Sequence, residues 1–155
     1  MICSRYKAIA SSVCNQLSFT DEENRQTDYT YDALNRLVAI DAPLSRRTTF
    51  GYDANDNLTS VTDARTHTTH YTYDPLNRQV TRIDAEGETS SLTYDAVGNV
   101  TAVTDELNRM TQFCYDQRNL QTAVIDPLAQ VTTSTYDEVG NLVAVTNDLG
   151  QATQY

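Results

Sequence analysis

The segment YDAVGNVTAVTDELNRMTQFC, residues 94–114, contains every element of a pattern that runs through the chain. Val, Thr and Ala fill residues 100–104, which predicts a short strand. Asp105 and Asn108 follow, and both residue types favour turns because their side chains bond nearby backbone amides. Thr111, Phe113 and Tyr115 then alternate with other residues, as in a second strand with one apolar face. The segment therefore predicts a β-hairpin with a turn at each end.

The Tyr-Asp pair that opens this segment recurs every 21 residues, without insertion or deletion. We expect the Asp to take the first turn position, where its carboxylate can accept a backbone N–H. Two of the turns contain Gly98-Asn99 and Gly140-Asn141, in which glycine can supply a positive φ. A residue required in every repeat indicates a structural role rather than a ligand site. The pairs are Tyr31-Asp32, Tyr52-Asp53, Tyr73-Asp74, Tyr94-Asp95, Tyr115-Asp116 and Tyr136-Asp137.

Four further columns keep the same register. Together they predict an all-β chain of tandem 21-residue β-hairpins in a coiled, twisted sheet, whose aromatic columns are buried as the hairpins stack. The columns are Thr27, Thr48, Thr69, Ser90, Thr111, Thr132 and Thr153; Tyr29, Phe50, Tyr71, Leu92, Phe113 and Ser134; Phe19, Ile40, Val61, Arg82, Val103, Val124 and Val145; and the turn residues Asp21, Asp63, Asp84, Asp105, Asp126 and Asn147, with Ala42 in their register.

The array predicts the domain organisation. Residues 1–11 lie outside the pattern, and residues 12–155 form about six and a half repeats, of which residues 12–30 are a degraded copy. The last repeat stops before its Tyr-Asp pair, so we expect the array to be a piece of a longer one.

The charge balance excludes two classes of partner. Eleven Lys and Arg against 21 Asp and Glu give a net charge of −10, which disfavours nucleic acid and anionic membrane surfaces. No stretch approaches the roughly 18 apolar residues of a membrane span, and the N-terminus makes a poor signal peptide. The three cysteines are spaced neither as a disulfide framework nor as a zinc site.

The repeats resemble the YD-repeat, or RHS-repeat, family, whose pattern is approximately YDxxGNLxxVTDxxGxxTxxY. Residues 136–150, YDEVGNLVAVTNDLG, follow that pattern nearly throughout, and YDPLNR at residues 73–78 is a typical variant. The resemblance implies a shell wall that encloses or presents a toxin or effector domain, as in bacterial polymorphic toxins. It also implies a secreted or cell-surface protein, with the rest of a longer shell or the enclosed toxin as partner. The alternative that it leaves open is a carbohydrate-binding or adhesion module for neutral glycans.

The residue types that carry chemistry elsewhere form no catalytic, cofactor or metal constellation in this sequence. The Asp columns lack the closely spaced acids of an EF-hand, so calcium is not expected. His67 and His70 are predicted to point to opposite faces of one strand and to share no metal. Cys114 is expected to be a packed thiol, and Arg46-Arg47 a solvated turn edge. We therefore expect a protein that is not an enzyme and needs no cofactor.

Overall fold

Strands separated by tight turns make up all the regular structure of the described residues, which in this computed structural model are 9–10 and 15–155. No helix long and apolar enough to cross a membrane occurs in that part of the chain. The strands are β1 (Ile9–Ala10), β2 (Gln16–Thr20), β3 (Gln26–Tyr31), β4 (Leu37–Ala42), β5 (Arg46–Tyr52), β6 (Leu58–Thr62), β7 (Thr68–Tyr73), β8 (Gln79–Ile83), β9 (Thr89–Tyr94), β10 (Val100–Thr104), β11 (Met110–Tyr115), β12 (Gln121–Ile125), β13 (Val131–Tyr136), β14 (Leu142–Thr146) and β15 (Ala152–Gln154).

The chain divides into two compact units, Met1–Arg78 with Ile83–Glu86, and Gln79–Arg82 with Gly87–Tyr155. In the first unit, each of β1 to β6 pairs with the strand that follows it in antiparallel fashion. In the second unit, β9 to β15 follow the same up-and-down order. The prediction of consecutive antiparallel hairpins is confirmed. The proposed boundary between residues 11 and 12 lies outside the described residues and stays a prediction.

The Thr, aromatic and aliphatic columns of the sequence meet in one row across each sheet. Phe113 pairs with Val124, which also pairs with Thr132 on its other side. Cross-strand neighbours of this kind are the unit of sheet stabilisation. The equivalent pairs are Phe19 with Thr27, Tyr29 with Ile40, Ile40 with Thr48, Phe50 with Val61, Val61 with Thr69, Leu92 with Val103, Val103 with Thr111, Ser134 with Val145, and Val145 with Thr153.

The aromatic row is less buried than the sequence predicts. Among the described residues, only Ala39 and Ser18 are buried, and no large side chain is fully enclosed. Tyr29, Phe50, Tyr71 and Phe113 are all half-buried. The reason is that each unit is a single sheet without a second layer, so its side chains are covered by strand neighbours alone.

Two sets of turns join the strands. The YD turns begin at the Asp of each Tyr-Asp pair, and the return turns begin at residues 21, 42, 63, 84, 105, 126 and 147. In the YD turn at Asp137, Gly140 N–H donates to the Asp137 carbonyl at 3.2 Å, and Asp137 N–H donates to the Asn141 carbonyl at 2.9 Å. Gly140 has a φ of 94°. This is a three-residue hairpin loop, a type I turn followed by a left-handed residue.

The left-handed position is filled by glycine or asparagine in most turns, but by Thr66 in one return turn, at a φ of 69°. A β-branched residue is a genuine outlier in that region. Thr66→Asn should therefore raise the free energy of unfolding by up to about 1 kcal/mol, because asparagine tolerates the conformation. Denaturant unfolding of the variant checks this. Asn108→Thr, which introduces the same strain into another return turn, should have the opposite effect.

Candidate functional site

The tyrosine of the Tyr-Asp pair ties its strand to the preceding strand, across the return turn that joins the two. The Tyr115 hydroxyl on β11 donates to the Val100 carbonyl on β10 at 3.0 Å. The backbone pairing of β10 with β11 starts at Ala102 and Gln112, so Val100 lies outside it. The hydroxyl therefore supplies a donor to a backbone carbonyl that this pairing does not include. The same bond, always to the residue 15 positions earlier, joins Tyr52 to Leu37, Tyr73 to Leu58, Tyr94 to Gln79, and Tyr136 to Gln121, at 2.8–2.9 Å.

A β-bulge sits at each of these tyrosines for which the pairing is described. Cys114 pairs with Ala123 but Tyr115 pairs with Gln121, so Thr122 is the extra residue on the returning strand. The same shift occurs at Tyr31, Tyr52, Tyr94 and Tyr136. Bulges increase the local twist and re-aim side chains. The bulge is therefore a regular part of the repeat, and the sequence did not reveal it.

The aspartate of the pair holds its own turn closed. In the turn at Asp137, Oδ1 accepts the backbone N–H groups of Val139 at 3.0 Å and Asn141 at 2.8 Å, and Oδ2 accepts the Asn141 side-chain amide at 2.8 Å. These hydrogen bonds, the side-chain bond from Asn141 foremost, hold the pKa of the Asp137 carboxyl below its usual value. The Oδ1 atoms of Asp32, Asp53, Asp74, Asp95 and Asp116 likewise accept the backbone N–H two residues along.

Neighbouring YD turns are also linked through their side chains. The fifth residue of one turn reaches the fourth residue of the next YD turn, 20 positions along the chain. Asn57 Nδ2 donates to Asn77 Oδ1 at 2.9 Å, and Asn99 Nδ2 donates to Asn119 Oδ1 at 3.1 Å. Asn15 and Asn35 repeat the bond at 3.2 Å. The left-handed asparagine thus contributes an acceptor as well as its tolerance of positive φ.

Arg36 makes several of the bonds that link two neighbouring YD turns. Its Nε donates to Asp32 in its own turn at 2.7 Å, and one terminal nitrogen donates to Asp56 Oδ1 and to the Asp53 carbonyl in the next YD turn, at 2.8 and 2.9 Å. The guanidinium lies 5.0 Å from the centroid of the Tyr52 ring, within cation–π range. Gly140 occupies the fourth position of its turn without a side chain, and a Cβ added there would lie 3.7 Å from the Leu120 side chain.

The hydroxyl and carboxylate groups of the Tyr-Asp pairs make their hydrogen bonds within the sheet itself. The hydroxyls donate to backbone carbonyls, and the carboxylates accept backbone amides. Burial raises the pKa of Tyr73 above its usual value. No group of three or more His, Cys, Asp or Glu side chains in the described part of the chain could hold a metal ion. The chemistry of these groups is therefore that of turn closure and strand linkage.

Two sequence predictions about individual residues were wrong. Cys114 is exposed, not packed, because its column faces away from the aromatic row. His67 does not share a strand with His70: it closes the return turn that begins at Asp63, with Nδ1 3.4 Å from Asp63 Oδ2, and β7 begins one residue later. Arg46 and Arg47 are exposed as expected, although they open β5 and Arg47 pairs with Asp41 at 3.1 Å.

Asp137→Ala should lower the urea midpoint by roughly a few tenths of a molar, because two backbone amides and one side-chain amide lose their acceptor. Asp148→Ala is the matched control: Asp148 is exposed in a neighbouring return turn and should change the midpoint little. Equal midpoints for the two variants would show that the carboxylate does not close the turn.

The RHS Repeat family model matches residues 15–47, 38–68, 52–89 and 94–132. The chain therefore belongs to the RHS repeat family, and the family predicted from its Tyr-Asp register is confirmed. No curated protein matches the chain.

Solved structures of toxin complexes share the fold. A chain of the Photorhabdus luminescens Tc holotoxin pore matches with a TM-score of 0.72 at 16% identity, over 96% of this chain and 9% of that one. TcdB2-TccC3 without its hypervariable C-terminal region matches with a TM-score of 0.73 at 15% identity, over 96% of this chain and 10% of that one. The chain thus spans about a tenth of these longer chains. At this identity the likeness establishes the fold: an RHS repeat segment resembling part of the Tc toxin chains.

Proposed function

We propose that this chain is a wall segment of an RHS shell that encloses or presents a toxin or effector domain, and that it performs no catalysis. The observation that carries the proposal is the internal use of the Tyr-Asp groups. Five tyrosine hydroxyls bond to the preceding strand across the return turn, and the YD aspartates close their own turns. A repeat whose polar groups bond to its own strands and turns is suited to forming an extended wall.

Two further observations support the same role. Over the described residues each unit consists of one sheet with no second layer on either face, as expected of a wall. The solved chains that share the fold are about ten times longer and belong to Tc toxin assemblies. By this proposal the chain's partners are the remainder of a longer shell and its enclosed domain, and the shell works outside the producing cell or on its surface.

The test uses the longest polypeptide that the gene encodes, with and without Tyr115→Ala. Limited proteolysis of the parent should leave a segment outside residues 12–155 protected, and the variant should expose it, because a weakened wall opens. A parent in which every segment outside the array is cut as fast as in the denatured protein would overturn the proposal.

Neutral glycan binding is the second candidate. A shallow groove of about 350 Å³ combines the rings of Tyr29 and Tyr31 with the polar groups of Asp32 and Asn35. Aromatic faces and side-chain amides together suit a sugar ring. Specific, saturable binding on a glycan array, lost in Tyr29→Ala without unfolding, would establish this function. With a net charge of −10, the chain should not be retained on heparin at about 0.15 M salt.

A further inference from the structure

One return turn lacks the side-chain acceptor that the others carry. It comprises residues 42–46, Ala-Pro-Leu-Ser-Arg, and its first position holds Ala42 where the other return turns have aspartate or asparagine. We call it the Ala42 turn. In the return turn that begins at Asp105, the carboxylate binds the fifth residue of the turn, with Arg109 Nη2 2.7 Å from Asp105 Oδ2. The fifth residue of the Ala42 turn is also an arginine, Arg46, but its own turn offers it no carboxylate.

The Arg46 side chain makes no hydrogen bond or ion pair with the residues that the structure describes. Its neighbour Arg47, in contrast, pairs with Asp41 at 3.1 Å. A guanidinium is permanently charged and carries five N–H donors in a planar fork. Arg46 is therefore a cation whose donors are available to a ligand.

Arg46 lines a groove of about 470 Å³ between the Ala42 turn and the return turn before it. The wall around the guanidinium is mainly apolar and includes one hydroxyl group: it is formed by Phe19, Ala42, Pro43, Leu44 and Thr27. A carboxylate suits the guanidinium and an apolar group suits the wall. The groove is therefore suited to a ligand that carries both.

The one carboxylate that lines this groove is already bound within its own turn. Asp21 Oδ1 accepts the backbone N–H groups of Glu23 and Arg25 at 3.0 and 2.8 Å, and Asp21 Oδ2 accepts Arg25 Nε–H at 2.7 Å. The Glu23 carboxylate is held by Arg25 as well, at 2.8 Å. The acidic groups beside the groove are thus bound to Arg25, and Arg46 is the charge that remains available.

The backbone of the Ala42 turn also differs from that of a turn with an aspartate. The turn at residues 126–130, Asp-Pro-Leu-Ala-Gln, has the same Pro-Leu pair. There Asp126 Oδ1 accepts the Leu128 N–H at 2.8 Å, and only the fourth residue, Ala129, has a positive φ. In the Ala42 turn the third residue, Leu44, has a positive φ of 64° as well, which is uncommon for a bulky side chain. An aspartate at position 42 should therefore restore the common form of the turn.

We propose that the groove at the Ala42 turn binds a peptide carboxylate that stands next to an apolar side chain. The carboxylate, from an acidic side chain or a chain terminus, takes the part that aspartate plays in the other return turns. It accepts hydrogen bonds from the Arg46 guanidinium, whose fork matches the two oxygens of a carboxylate. The apolar side chain packs against Phe19 and Leu44.

The net charge of −10 opposes the approach of any anion, but this effect is long-range. At about 0.15 M salt, charges more than roughly 8 Å away are largely screened, so the groups at the groove decide the binding. The inference goes beyond the wall function and does not depend on it, because a wall segment needs no ligand at this turn.

An NMR titration of the purified chain is the test, with N-acetyl-phenylalanine and N-acetyl-Asp-Phe-amide as probes. The first probe presents a terminal carboxylate and the second a side-chain carboxylate, so the pair distinguishes the two sources. We expect the Arg46 Nε–H signal to shift saturably with at least one of them, with a dissociation constant on the order of 1 mM for ligands of this size. N-acetyl-phenylalanine amide, the neutral control, should bind roughly tenfold more weakly or not at all.

Three variants locate the site. Arg46→Gln should weaken binding roughly tenfold, and Arg65→Gln should leave it unchanged. Arg65 is the matched control, since it is exposed in the next return turn and its substitution changes the net charge equally. Ala42→Asp should also weaken binding roughly tenfold, because the new carboxylate pairs with Arg46. It should raise the urea midpoint by roughly a few tenths of a molar, because the turn gains its acceptor.

A parent whose signals shift with neither carboxylate probe would overturn the inference. So would equal binding of the neutral amide, or equal weakening by Arg46→Gln and Arg65→Gln, since binding would then depend on the apolar wall or on net charge alone. Unchanged binding in an Ala42→Asp variant with a raised urea midpoint would also overturn it, because the ligand would not take the place of the turn carboxylate.

Discussion

Tyr115→Ala should lower the free energy of unfolding by about 2–4 kcal/mol, the largest loss that we expect from a single substitution in this chain. The change removes a half-buried ring in the middle of the second unit and leaves the Val100 carbonyl without its donor. The loss should fall short of that for a fully enclosed aromatic residue, because no second layer covers the ring. Denaturant unfolding followed by circular dichroism measures it.

Tyr155→Ala is the control for that experiment. Tyr155 is 76% exposed, so its removal should change the free energy of unfolding by less than about 0.5 kcal/mol. Tyr115→Phe separates the two contributions of Tyr115, because it keeps the ring and removes the hydroxyl. It should cost about 1 kcal/mol. Similar losses for Tyr115→Ala and Tyr155→Ala would mean that the tyrosine column does not hold the sheet together.

Acid should unfold the protein cooperatively below about pH 4, near the usual pKa of an aspartate in an unfolded chain. Hydrogen bonds to the turn carboxylates hold their pKa values below the usual value in the folded state. The unfolded chain therefore binds more protons in this range, and the stabilisation present above it is lost as the pH falls through the folded pKa values. The carboxyls concerned are Asp21, Asp32, Asp53, Asp63, Asp74, Asp95, Asp105, Asp116 and Asp137.

Comparison of urea midpoints at pH 6 and pH 3 checks the acid prediction. The midpoint should be much lower at pH 3, because many turns lose their acceptor over the same range. Asp137→Asn should be less stable than the parent at pH 6, because an NH2 group takes the place of Oδ2 and cannot accept the hydrogen bond from Asn141. Its urea midpoint should also fall by less on acidification, because the substituted side chain does not titrate. Equal midpoints at the two pH values would contradict the assignment of the carboxylates to turn closure.

The sequence was sufficient for the strands, the turns and the family because each depends on local chemistry repeated many times. The Val100–Thr104 strand matches its prediction, and the positive φ expected at Gly98 and Gly140 is found. The sequence shows the columns that contain Phe113, Val124 and Thr132 as three separate patterns. Strand pairing in the hairpins then brings these residues into one row. One repeat alone would not have allowed these predictions, because each of them depends on a residue type that recurs at the same position.

The side-chain links between hairpins were missed, although the sequence carries a signal for one of them. Asn57 and Asn77, like Asn99 and Asn119, are 20 residues apart, one less than the repeat. That spacing marks residues from neighbouring turns, but it becomes informative only when the turn geometry is known. The bulge at Tyr115 and the target of its hydroxyl depend on strand register at the turn, which sequence columns do not specify.

The most direct test of the structural role of the Tyr-Asp pairs is a scan of single Tyr→Phe substitutions, with the denaturant midpoint as the measurement. The positions are 52, 73, 94, 115 and 136, and Tyr155→Phe is the control. Each of the five tyrosines makes the same hydroxyl bond to a carbonyl of the preceding strand. We predict a similar loss of about 1 kcal/mol at all five positions and none at Tyr155. A loss confined to one position, or absent from all five, would contradict the structural role.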